Sequence, residues 1–206
     1  MLIKQQKSNG GGQYVNIKKG TLVIKSGENP DGSPKLEEFA SIKGIIYKID
    51  FIEDEYQGSR YEKMQIFINS EGKNYILQMG TDSGYFRGFC NSLKSGIPTS
   101  EVIITPSSKP GENGKTNTTC FIQQDGKFLK HYYKKDANSG KWLGKEGELL
   151  PDLKMIEFKG KKQPDNSDQI KFWKDWLYSQ YNEENEPEVS PTPEGFEFEN
   201  DDDLPF

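Results

Sequence analysis

Tyr61-Glu62-Lys63-Met64-Gln65-Ile66-Phe67-Ile68-Asn69 decides how this chain folds. Side chains alternate sides along an extended backbone, so Met64, Ile66 and Ile68 share one side and Tyr61, Lys63, Gln65 and Phe67 share the other. A wholly apolar side opposite a mixed one describes a strand with one face in a core and the other in water. The mixed face carries two rings, a cation and an amide, and Arg60 stands just before it.

The same signal recurs on both sides of this stretch. Short β-branched or aromatic runs separated by Gly, Asn, Asp and Pro predict strands over 14–17, 21–25, 39–52, 61–68, 74–79, 101–105, 118–124, 127–134 and 155–158. Asp125-Gly126 is a strong hairpin turn, and Ser70-Glu71-Gly72-Lys73 predicts a second. Two segments change period. Phe86, Phe89, Cys90 and Leu93 recur at helical spacing over 83–95, behind Asp82-Ser83 as caps and ahead of Gly96-Ile97-Pro98. Ile170, Trp173, Leu177 and Tyr181 form a stripe over 167–181, behind a polar start at Asn166-Ser167-Asp168. A mainly β chain of about five main strands, with one helix after the third and another at the end, fits the oligonucleotide-binding (OB) barrel. Other small β-barrels and sandwiches fit the same signals.

The chain has 206 residues, enough for one domain with appendages. No apolar run reaches the ~18 residues of a membrane span. The start, Met1 to Lys7, has no apolar core of a secretion signal, so the expected compartment is the cytoplasm. Cys90, Cys120 and His131 stand at no metal-ligand spacing, so neither zinc nor any other cofactor is expected, and no disulfide framework.

Charge divides the chain. Ten of its 32 acidic side chains fall in 183–206, where no Lys or Arg stands; this leaves 22 acids against 27 bases in 1–182. Four prolines and few apolar residues keep 183–206 from repaying the entropy of folding, so it reads as a disordered acidic tail. Residues 1–13, with Gly10-Gly11-Gly12, read as a flexible arm, and 14–182 as the folded domain.

Within that domain, the run after Asp125-Gly126 repeats the mixed face: Phe128, Lys130, Tyr132 and Lys134 on one side, Leu129, His131 and Tyr133 on the other. Trp142 stands in a Gly-rich stretch between Lys141 and Lys145. Rings interleaved with cations suit a single nucleic-acid strand, since each stacked base contributes ~1–3 kcal/mol and lysines neutralise phosphates. The candidate contacts are Arg60, Tyr61, Lys63, Phe67, Phe128, Lys130, Tyr132, Lys134 and Trp142. Tyr and Lys also cover exposed sheets without any ligand, their long stems shielding apolar neighbours. Lys109, Gly111, Gly114 and Lys115 form a polar loop of the kind that flanks the groove in OB barrels.

The chain ends Asp201-Asp202-Asp203-Leu204-Pro205-Phe206. This resembles the acidic tip of the single-stranded DNA-binding proteins of bacteria and their phages, in which aspartates precede an aliphatic residue and a terminal Pro-Phe. A terminal ring can enter an apolar pocket while its α-carboxylate pairs with a cation, and the aspartates steer it to a basic rim. The resemblance implies that these six residues recruit replication, recombination and repair enzymes such as a polymerase, helicase, primase or nuclease. It also implies the cytoplasm of a bacterium or a phage-infected host. A helix followed almost at once by the tail is more similar to phage-encoded members than to bacterial ones, which carry a long Gly- and Gln-rich linker. A basic body and an acidic tail further suggest that the tail competes with DNA for the groove.

The expected function is sequence-independent single-stranded DNA binding with partner recruitment. The alternatives are an acidic module that occupies a replication enzyme without binding nucleic acid, and an RNA-binding barrel. An enzyme is not expected: Asp50, Glu53, Asp54 and Glu55 read as a solvated turn, and His131 has no evident nucleophile.

Overall fold

A computed structural model describes residues 12–56, 58–111, 114–158 and 160–181. The acidic tail 183–206 with its tip, and all of the expected arm except Gly12 and Gln13, lie outside these residues. In chain order the elements are β1 (Gln13–Lys18), β2 (Thr21–Glu28), β3 (Pro34–Phe39), β4 (Ile42–Tyr56), β5 (Ser59–Ser70), β6 (Lys73–Gly80), α1 (Gly84–Leu93), β7 (Val102–Pro110), β8 (Thr116–Gln124), β9 (Lys127–Phe128), β10 (Lys134–Lys135), β11 (Trp142–Leu143), β12 (Lys154–Phe158), β13 (Lys161–Asp165) and α2 (Ser167–Tyr181). The chain is mainly β, with two helices. No helix among the described residues is long and apolar enough to cross a membrane.

Two-residue turns organise the strands. Lys19-Gly20, Glu71-Gly72 and Asp125-Gly126 all have positive φ at both positions, the geometry whose twist matches that of the flanking strands. The last two turns stand where the sequence predicts them. Nine strands form one sheet in the order β3-β2-β1-β6-β5-β4-β7-β8-β9, and only β1 with β6 is a parallel pair. At Gly44, β4 passes from pairing with β7 to pairing with β5; any side chain there would strike Asn69 and Ile68. Gly20, in the β1–β2 turn, lies against Ser107 and Ser108 of β7, so the sheet curls until its N-terminal hairpin meets a strand far along the order.

Met64, Ile66 and Ile68 are fully buried, with Ile49, Leu77, Ile104 and Ile122, as the alternation in β5 requires. Each such side chain contributes ~1.5–3 kcal/mol through removal from water. Phe86, Phe89 and Leu93 complete this core from α1, and Trp173, Leu177 and Tyr181 from α2. The Ser83 hydroxyl caps α1 by accepting from the Phe86 N–H at 3.2 Å.

Three expectations are corrected. The strand expected over 39–52 is divided at Ala40-Ser41: Phe39 ends β3, and β4 continues to Tyr56. Asp50, Glu53, Asp54 and Glu55 therefore lie within a paired strand and are not a turn. The strand expected over 127–134 stops at Phe128. Its backbone leaves β8 because Asn91 of α1 captures it. The Asn91 amide donates to the Tyr133 carbonyl at 3.0 Å and accepts from the Tyr133 N–H at 2.7 Å, while the Tyr132 N–H donates to the Asn91 carbonyl at 2.8 Å. Tyr133 is thereby drawn wholly into the core, edge-on to Trp173 at 5.6 Å.

Candidate nucleic-acid interface

The hydrogen-bonded register orders the side of β4, β5, β6 and β1 that faces away from Met64, Ile66 and Ile68 into rows. One row runs Lys48, Phe67, Ile76, Tyr14; the next runs Asp50, Gln65, Gln78, Asn16, with Ile76 and Gln65 buried and their neighbours open or half-buried. Beyond them Lys63 faces Ile52, and Tyr61 faces Asp54. The face thus presents an aromatic band, an amide band and a charged band.

Tyr47 joins the aromatic band through an irregularity of register. The β4 ladder slips between Ile46 and Lys48, so Tyr47 and Lys48 are both found beside Phe67 instead of on opposite faces. The Tyr47 ring lies 6.1 Å from that of Phe67, and the Lys48 ammonium 5.4 Å from the Phe67 centroid. Tyr14 and Tyr47 are 44% and 39% exposed, open enough for a planar ligand to reach.

In the charged band, the Lys63 ammonium is 2.7 Å from an Asp54 oxygen to which the Tyr61 hydroxyl also donates at 3.0 Å. These bonds, Lys63 first, and the Glu55 N–H hold the Asp54 carboxyl below its ordinary range. Partial burial alone would lower the Lys63 value, but its bond to Asp54 outweighs this and leaves it raised. Lys48 has Asp50 at 3.6 Å. Lys48 and Lys63 therefore each already hold a carboxylate. Arg60 is exposed, opposite Glu55 in the ladder.

The other sequence candidates do not share one strand face. Phe128, Lys130 and Lys134 border a cavity of about 530 Å³ together with Phe121, Leu129 and His131. Phe128 and Phe121 meet edge to face at 6.2 Å. Tyr132 is separated from them, because the Asn91 clamp breaks the alternation. Its ring packs 5.1 Å from that of Tyr133 and lies under the ammonium groups of Lys94 and Lys145, and its bond with Glu148 pushes the phenol up to about 12. Trp142 stands on β11 opposite Lys135 and takes part in neither aromatic pair. Lys109 and Lys115 flank the β7–β8 connection, which the Gly111 N–H closes by donating to the Lys115 carbonyl at 2.7 Å.

Tyr14, Tyr47, Lys48 and Phe121 belong to these clusters and were not singled out from sequence. Tyr14 is legible by parity with the buried Val15. Tyr47 is not, since strict alternation assigns adjacent residues to opposite faces. Comparison with protein-family models, with curated proteins and with solved structures finds no match for this chain.

Proposed function

We propose that this protein binds single-stranded DNA without sequence preference on the exposed face of β4, β5 and β6, and recruits partner enzymes through its acidic C-terminal tip. The aromatic band of Tyr47, Phe67 and Tyr14 beside Lys48 carries the reading. Stacking on such rings tolerates any base, and the neighbouring lysines suit phosphates.

Topology supports the same reading. Strands β4, β5 and β6 form a meander, α1 follows the third strand, and the β7–β8 hairpin pairs back onto β4. Taken as an OB barrel, with β1–β3 added at the β6 edge, this arrangement makes β5 and β6 the second and third strands. That is the face such folds turn to oligonucleotides. The charge division adds a partner-binding role, implied by the resemblance of Asp201-Asp202-Asp203-Leu204-Pro205-Phe206 to the single-stranded DNA-binding proteins. Replication, recombination and repair enzymes in a bacterial or phage-infected cytoplasm are the proposed partners, and the protein itself carries out no catalysis.

The test is a titration of fluorescent oligo-dT at two salt concentrations, with duplex of equal length as the competitor. Salt-sensitive binding that prefers the single strand is expected; absence of binding overturns the reading and favours the interaction module.

A further inference from the structure

The cavity beside β8 differs in charge from the β4–β6 face. Lys130 and Lys134 border it, no carboxylate does, and neither lysine is in an ion pair among the described residues. Phe128 and Phe121 remain 62% and 41% exposed there. Open rings under an uncompensated cationic rim match a ligand that is both planar and anionic.

Register ties this cavity to the proposed strand path. Phe128 pairs with Gln123, Gln123 with Ile103, and Ile103 with Lys43, in one row across β9, β8, β7 and β4. Lys43 lies on the same side of β4 as Ile45, which faces Asn69 two residues beyond Phe67 in β5. The two aromatic clusters therefore lie on the same side of the sheet, joined through the half-buried Ile103 and Gln123. Four strand spacings separate β5 from β9, roughly 20 Å across the sheet, and the offset from Lys43 to Lys48 adds about 15 Å along it, a gap that several nucleotides of an extended strand cross.

We propose that this cavity takes one unstacked nucleotide of the bound strand, its base against Phe121 and Phe128 and its phosphate between Lys130 and Lys134. The inference rests on the single-strand reading above. Its volume of about 530 Å³ lies within the usual range of ligand pockets. His131, the only histidine of the chain, stands at the rim and reports on occupancy.

The full chain is titrated with oligo-dT, with affinity read by anisotropy and the His131 imidazole by NMR. The His131 resonances are expected to move with the same midpoint as binding. Phe128→Ala is expected to weaken binding about five- to a hundredfold, while Phe128→Tyr retains it. The double variant Lys130→Ala/Lys134→Ala should reduce the salt slope by about 0.7, for the one phosphate the two lysines hold. If oligo-dT binds and Phe67→Ala weakens it, but His131 stays unmoved and Phe128→Ala binds normally, the pocket proposal fails alone. If oligo-dT does not bind at all, the underlying reading fails with it. A peptide of sequence Asp-Asp-Asp-Leu-Pro-Phe that moves His131 where oligo-dT does not would overturn the proposal in favour of an acidic-peptide site.

Discussion

Lys63 and Asp54 stand nine residues apart in sequence, but the β4–β5 ladder brings the ammonium and the carboxylate to 2.7 Å on the proposed DNA face. A phosphate that approaches Lys63 must compete with Asp54. Asp54→Asn removes that competitor and an opposing charge at once. Oligo-dT affinity is expected to rise several-fold, with the salt slope steepened by about 0.7 for the one phosphate gained. Anisotropy titrations at several salt concentrations read both effects.

The same pair gives an acid dependence. The Asp54 value is lowered in the folded chain, so its stabilising contribution is present above the ordinary carboxylate value of 3.8 and is lost as pH falls through the lowered one. Asp54→Asn should therefore flatten the acid limb of a thermal-denaturation profile relative to the parent chain.

Phe67 and Tyr61 lie on the same face but differ in their partners. Phe67 packs with Tyr47 and Lys48 only through its ring, whereas Tyr61 is tethered to Asp54 through its hydroxyl. Phe67→Ala should cost about 1–3 kcal/mol of oligo-dT binding, and Tyr61→Phe should leave stacking intact while loosening Asp54. The contrast is read by affinity for the two variants side by side.

Asn91 is buried, and its amide satisfies both backbone groups of Tyr133. Asn91→Ala leaves a donor and an acceptor unpaired in a place water does not reach, at a cost of about 2–5 kcal/mol. Urea denaturation measures the loss. Hydrogen exchange should locate the extra opening at 130–135.

Tyr133 gives the alkaline counterpart. Burial pushes its phenol up to about 12, and its hydroxyl has no hydrogen-bond partner among the described residues. An unfolded tyrosine ionises near 10, so between about 10 and 12 the unfolded chain releases a proton that the folded chain keeps. The contribution is whole below pH 10 and disappears as pH rises to 12. Tyr133→Phe should flatten this decline in melting temperature and cost little at neutral pH.

Much of the fold is legible where local signals agree. Alternation over Met64, Ile66 and Ile68, bounded by a two-residue turn, identifies a strand and its buried side without tertiary knowledge. The stripe from Ile170 to Tyr181 gives α2 at its observed bounds, where Asp165 caps the start by accepting from the Ser167 N–H at 2.9 Å. Residues 127–134 fail for a physical reason: the β pattern there is real, but a side chain 42 positions away takes the backbone. The same override removes Tyr132 from the proposed site, while the cavity that reunites Phe128, Lys130 and Lys134 arises from folding back and not from parity. The register slip at Tyr47 is equally invisible, since no residue in 45–49 marks it.

The outermost strand of the large sheet, β3, is exposed at all six positions. It opens with Pro34, which has no N–H to offer, and displays Lys35, Glu37 and Glu38; the opposite edge, β9, is two residues long. Neighbouring molecules are thereby denied the edge-to-edge strand addition through which β proteins often aggregate or assemble. Crowded along a common polymer, copies of this chain would have to meet through side chains or tails, leaving each sheet the property of a single molecule.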